Sequence, residues 1–139
     1  MLPATLLVSA CFAYYKKWHF FFMSLGSVVL TTFITYTLKI LLHVPRPITA
    51  LIIEDGYRFP SGHASIAAII GCIAIYVAYR AHASRSVRVL VVSLAILWYV
   101  LVAWARLYLG VHYLVDVVAG LIVALISFGI VYGVAKRVR

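Results

Sequence analysis

Acidic residues are nearly absent from this chain: 3 of its 139 residues are Asp or Glu, against 12 Lys and Arg, and all charged residues together make up 11%. With 66% hydrophobic residues and a mean hydropathy of +1.12, so little charge excludes a soluble globular domain. Cysteine is equally scarce. Cys11 and Cys72 lie in different apolar runs, which argues against a disulfide or a cysteine metal site. Heptads, internal repeats and low-complexity segments are lacking. The net charge of +9 does not point to nucleic acid, because Lys and Arg stand at the ends of apolar segments rather than on a solvated face. The partner these features imply is the bilayer.

What the chain has in abundance is long apolar segments: Leu2 to Tyr15, Trp18 to Leu42, Ser61 to Tyr79, Val87 to Leu109 and His112 to Ala135. A span needs about 20 residues to cross about 30 Å of hydrocarbon. The expected fold is therefore all-α: one polytopic membrane helix bundle over residues 1–139, with four full transmembrane helices and a short or truncated N-terminal one. That first segment would be only about 21 Å long as a helix. Val8-Ser9-Ala10-Cys11 resembles a lipoprotein signal, but no basic residue precedes the apolar run and Lys16-Lys17 follow it, so a membrane segment is the better reading. Short connections make neighbouring helices antiparallel. The long one, His43 to Pro60, holds three of the four prolines and two of the three acids.

Alternation of the spans assigns each loop to a face. One face collects Lys16, Lys17, Arg80, Arg85, Arg88, Lys136, Arg137 and Arg139 with no acid, which the positive-inside rule places in the cytoplasm. The other carries Lys39, Arg46, Arg58 and Arg106 with Glu54, Asp55 and Asp116, and is expected to be extracytoplasmic.

Unusual polar residues concentrate on that second face, in KILLHVPRP, FPSGHAS and ARLYLGVHYLVD. Ionisable groups within a span cost roughly 2.5 to 3.5 kcal/mol each on insertion scales, so they usually face a polar cavity and have a function. Ser61 can cap a helix whose free N–H groups attract an anion, and Gly62 lets that anion approach the backbone. Arg46 and Arg106 can clamp phosphate oxygens, with Lys39 as a point charge. His112 and Asp116, four apart, share a helix face, so the carboxylate can hold one ring nitrogen protonated while the other attacks phosphorus. His63 is then placed to protonate the leaving oxygen. Neither a metal nor a cofactor is required. His19, His43 and His82 are expected at the interface, and Glu54 and Asp55 in a solvated loop at the substrate entrance.

Lys39-x6-Arg46-Pro47, Pro60-Ser61-Gly62-His63 and Arg106-x5-His112-x3-Asp116 together resemble the three-part signature of the type 2 phosphatidic acid phosphatase and vanadium haloperoxidase superfamily. The resemblance implies a metal-independent phosphatase working through a phosphohistidine. By motif position, Lys39, Arg46, Ser61, Gly62 and Arg106 would bind phosphate, His63 would be the general acid, and His112 the nucleophile supported by Asp116. Two departures stand out. Ala105 replaces the serine that usually precedes Arg106, and the lysine block ends the second span rather than the third, as if the first span of a six-helix core were missing. The expected activity is removal of phosphate from a membrane lipid in a bacterial or archaeal cell membrane, with an isoprenyl diphosphate ahead of phosphatidylglycerol phosphate and phosphatidic acid. A lipid phosphotransferase and an inactive anion-binding member are the alternatives.

Overall fold

The computed structural model describes Ser9, Ala10, Phe12 and residues 14–48 and 50–137. Most of the first apolar segment, with Cys11, lies outside these residues. Four helices follow in order: α1 Trp18–Leu42, α2 Gly62–Arg80, α3 Arg85–Tyr108 and α4 Leu114–Arg137. All four are long and apolar enough to cross a membrane, as the hydropathy pattern predicts, with ends within two residues of the expected ones.

Local chemistry sets their ends. α1 stops where His43 takes a left-handed conformation (φ 47°) and its N–H returns to the Lys39 carbonyl at 3.2 Å. Pro45 and Pro47 then prevent the helix from continuing. Ser61 is extended and its hydroxyl accepts the Ala64 N–H at 3.4 Å, the expected N-cap of α2. Ser84 caps α3 in the same way through the Val87 N–H at 3.4 Å. At the start of α4, the Asp116 carboxylate accepts the Tyr113 N–H at 2.8 Å, so an acid three residues into the helix satisfies an orphan donor.

α2 is the axis of the bundle and touches the other three helices, while α1 also packs on α4. Its buried face combines Ile66, Ile69 and Ile73 with small residues, Ala64, Ser65, Ala67, Ala68 and Gly71, which let neighbouring backbones come close. The buried face of α1 is largely hydroxylic: Ser24, Ser27, Thr31 and Thr35 recur at helical spacing, and Thr35 Oγ1 donates to Ser65 Oγ at 3.2 Å. α3 is peripheral. Arg106 is its one buried residue, and its exposed leucines and tryptophans make a lipid-facing surface.

α4 comes very close to the start of α2 at Gly120. A Cβ built on Gly120 would sit 2.8 Å from the Ser61 carbonyl oxygen and 3.0 Å from Ser65 Oγ, so this position tolerates only glycine unless the helices part. Gly120→Ala is expected to destabilise the fold by about 1 to 3 kcal/mol, as overpacking does. Thermal unfolding in detergent measures it. Gly129→Ala and Gly133→Ala, whose added methyls meet nothing within 4 Å, should leave the midpoint unchanged.

Candidate active site

The starts of α2 and α4 and the ends of α1 and α3 meet at one end of the bundle, together with the loop from His43 to Pro60. They enclose an open cavity of about 480 Å³ lined by Thr32, Thr35, Tyr36, Lys39, Arg46, Glu54, Asp55, Gly62, His63, Ile66 and His112. Five residues singled out by sequence, Lys39, Arg46, Gly62, His63 and His112, are therefore in its wall. Ser61, Arg106 and Asp116 stand behind that wall, buried.

Each cation is held. Lys39 Nζ donates to the Tyr57 carbonyl. Arg46 donates to the carbonyls of Gly56, Val111 and Asp55 at 3.1, 3.3 and 3.3 Å. Arg106 reaches from the last turn of α3, and its Nε is buried without a hydrogen-bond partner. Such fixed donors need little reorganisation when an anion arrives, which makes electrostatic stabilisation effective.

Glu54 corrects the expectation of a solvated loop. Its carboxylate lies 2.6 Å from Arg46 Nη1 and takes Arg106 Nη2 at 2.5 and 2.6 Å, joining the two arginines. Burial alone would raise its pKa, but the Arg106 hydrogen bonds and the charges of Arg106 and Arg46 outweigh burial and hold it below the usual carboxylate range. Glu54 is thus ionised at neutral pH, on the guanidinium groups that a phosphate would use. The charge inventory of this face carried a signal for it, since clustered cations near hydrocarbon need a counterion.

Asp116 also differs from its expected surroundings. His112 precedes α4 instead of lying on it, and its Nδ1 is 3.5 Å from Asp116 Oδ2, close enough for an ion pair but without a formed hydrogen bond. The carboxylate is engaged by Arg58 Nη1 and by the Tyr113 N–H. Arg58, which sequence reasoning assigned only to a face, also lies 4.6 Å from the Tyr113 ring centroid, in a cation–π contact. Burial, helped by the charges of Arg46 and Arg106, lowers the His112 pKa to about 4 against the opposing pull of Asp116. At neutral pH its imidazole is uncharged. His63 faces the cavity with no hydrogen-bond partner among the described residues.

The second and third sequence blocks are tied together by backbone. The Ser61 N–H donates to the Asp116 carbonyl at 2.9 Å, and Ser65 Oγ donates to the Ser61 carbonyl at 3.0 Å. Gly62 is less constrained, since an added Cβ would make only ordinary contacts with Thr35 and Lys39 at 3.9 and 4.0 Å. Glycine there keeps the cavity wall thin. Among the described residues no three His, Cys, Asp or Glu side chains converge as a metal-ligand set would.

A bundle of membrane-crossing helices with a cation-walled cleft and a buried neutral imidazole at one end defines a class of integral membrane protein built to handle an anion. The chain belongs to the PAP2 superfamily, whose family profile matches residues 16–139. It is similar to phosphatidylglycerophosphatase B of Bacillus subtilis, with 30% identity over 148 aligned residues that cover all of this chain and 70% of that protein. Phosphatidylglycerophosphatase B of Haemophilus influenzae is 32% identical over 85 residues, covering 60% of this chain and 35% of that protein. The crystal structure of the transmembrane PAP2-type phosphatidylglycerolphosphate phosphatase from Bacillus subtilis superposes with a TM-score of 0.83 over 99% of this chain and 70% of that one, at 30% identity. The chain is a membrane-integral lipid phosphatase.

With Glu54 on both arginines, an incoming anion has to displace it, and apparent affinity falls by the fraction of molecules in which the site is open. Glu54→Gln is expected to bind vanadate about tenfold more tightly, a change of about 1.4 kcal/mol. Calorimetric titration in detergent measures this, and an unchanged or weaker affinity would show that Glu54 does not compete.

Proposed function

We propose that this protein hydrolyses a lipid phosphomonoester or diphosphate through a phosphohistidine formed on His112, on the extracytoplasmic side of a cell membrane. The observation that carries the reading is a buried, uncharged His112 in the wall of a cavity that three cations, Lys39, Arg46 and Arg106, surround.

In this mechanism the phosphate displaces Glu54 and is held by Lys39, Arg46 and Arg106, with Gly62 allowing approach to the start of α2. Nδ1 of His112 is turned to Asp116, which leaves Nε2 to attack phosphorus. The nitrogen–phosphorus bond forms as the bond to the lipid oxygen breaks, and His63 gives that oxygen its proton. The contact of His112 with Asp116 tightens as the ring becomes positive, since catalytic hydrogen bonds are often long before substrate binds. Water then attacks phosphorus, His63 takes its proton back, and His112 leaves as the neutral base. Ser61 positions the helix start behind this wall.

Phosphatidylglycerol phosphate takes first place among substrates, because both relatives carry that specificity in their names. Isoprenyl diphosphates and phosphatidic acid follow. The extracytoplasmic placement is supported by the basic residues at the opposite ends of the helices.

Phosphate release from phosphatidylglycerol phosphate, by purified protein in detergent with EDTA, tests the reading. His112→Ala is expected to abolish release, and Arg106→Gln to lower kcat by roughly 10² to 10³, as loss of one transition-state donor does. Wild-type rates from His112→Ala would rule out the phosphohistidine. Adding an alcohol acceptor and analysing the products separates hydrolysis from transfer. The acid limb of kcat/KM should follow His112, near pH 4. Because Arg46 disfavours the imidazolium, Arg46→Gln should raise the His112 pKa and move that limb to higher pH.

A further inference from the structure

The opposite end of the bundle holds a second cavity, of about 60 Å³, lined by His19, Tyr76, Arg80, Tyr132, Ala135 and Lys136. It lies where the start of α1 meets the ends of α2 and α4. A single water needs roughly 10 to 15 Å³ of such space, so the cavity admits a group of several heavy atoms.

Its floor is aromatic and ordered. Tyr76 is hydrogen-bonded through its hydroxyl to His19 Nε2, and its ring packs edge-on against Phe128 and Tyr132 with centroids 5.8 and 5.9 Å away. Its rim is cationic. Arg80 and Lys136 are exposed and make no ion pair among the described residues, and all three acids of the chain lie at the other end. Helix dipoles do not cancel these charges. The ends of α2 and α4 contribute about −0.5 each, and the start of α1 about +0.5. At least one positive charge is left over.

We propose that this cavity binds the phosphodiester headgroup of an anionic glycerophospholipid, away from the catalytic cleft. A basic pocket between helices at the headgroup level, with amphipathic tyrosines beneath it, offers a lipid phosphate both charge and hydroxyl donors. The phosphodiester's single negative charge matches the uncompensated positive one.

Native mass spectrometry of the full chain in detergent, with its catalytic cleft filled by vanadate, provides the test. Phosphatidylglycerol should be retained in preference to phosphatidylcholine of the same acyl chains. Arg80→Gln combined with Lys136→Gln should weaken that retention roughly thirtyfold, which corresponds to about 1 kcal/mol for each basic residue near a lipid surface. The charge-retaining pair Arg80→Lys with Lys136→Arg should keep it, and both pairs should hydrolyse phosphatidylglycerol phosphate at the wild-type rate. Equal retention of the two lipids, or undiminished phosphatidylglycerol binding in the glutamine pair, overturns the proposal. Loss of binding in the charge-retaining pair overturns it as well, because shape rather than charge would then be responsible. Displacement of the lipid by millimolar inorganic phosphate would assign the cavity to free phosphate instead.

Discussion

One backbone hydrogen bond, from the Ser61 N–H to the Asp116 carbonyl, joins the start of α2 to the start of α4, and the candidate active site is assembled around it. It forms because Gly120 offers no side chain to the Ser61 carbonyl. The same close approach brings Gly62 and His63 on one helix near His112 and Asp116 at the other. In hydrocarbon, helices gain little from burying apolar groups against each other, so packing of small residues and interhelical hydrogen bonds take over that role. Gly120, Ser61 and Ser65 supply both beside the candidate site.

Charge is the second constraint. Lys39, Arg46, Arg58 and Arg106 converge near the membrane surface, and isolated cations there would be costly. The structure answers with carboxylates and with carbonyls from the loop between α1 and α2: Glu54 between two arginines, Asp116 on Arg58, and the Tyr57, Gly56 and Asp55 carbonyls on Lys39 and Arg46. The cations are thereby held in place by the fold, and in the proposed mechanism phosphate binding is an exchange of one anion for another. That exchange is easier than desolvating free guanidinium groups, and the cleft stays net positive, since Lys39, Arg46 and Arg106 outnumber Glu54. The opposite end of the bundle follows the reverse arrangement, with cations and no acid.

Much of this was legible in the chain itself. Hydropathy marked the four spans to within two residues because a span is a local property: about twenty apolar residues suffice to define it. Ser61 was readable as a cap for the same reason, since the hydroxyl and the N–H it accepts are three residues apart. Alternation of spans by itself brings the three polar blocks to one end. Glu54, by contrast, reads as an exposed loop acid, because its partners are 8 and 52 residues away and no local pattern joins them. Arg58 and Gly120 carry no local signal of their roles either: the one pairs with a residue 58 positions on, and the other matters only because of what packs against it.

The spacing of His112 and Asp116 shows where such reasoning stops. Four residues apart suggested one helix face, yet α4 begins at Leu114, and the carboxylate turns to the Tyr113 N–H and to Arg58. The amino-acid sequence alone determined the four full membrane-crossing helices seen among the described residues and which end collects the unusual polar groups, because hydropathy and span parity act along the chain. Tertiary structure alone decided which carboxylate meets which cation, and how closely α2 approaches α4. Those are contacts between distant segments, set by the absence of a single Cβ and by the need of each desolvated charge for a partner.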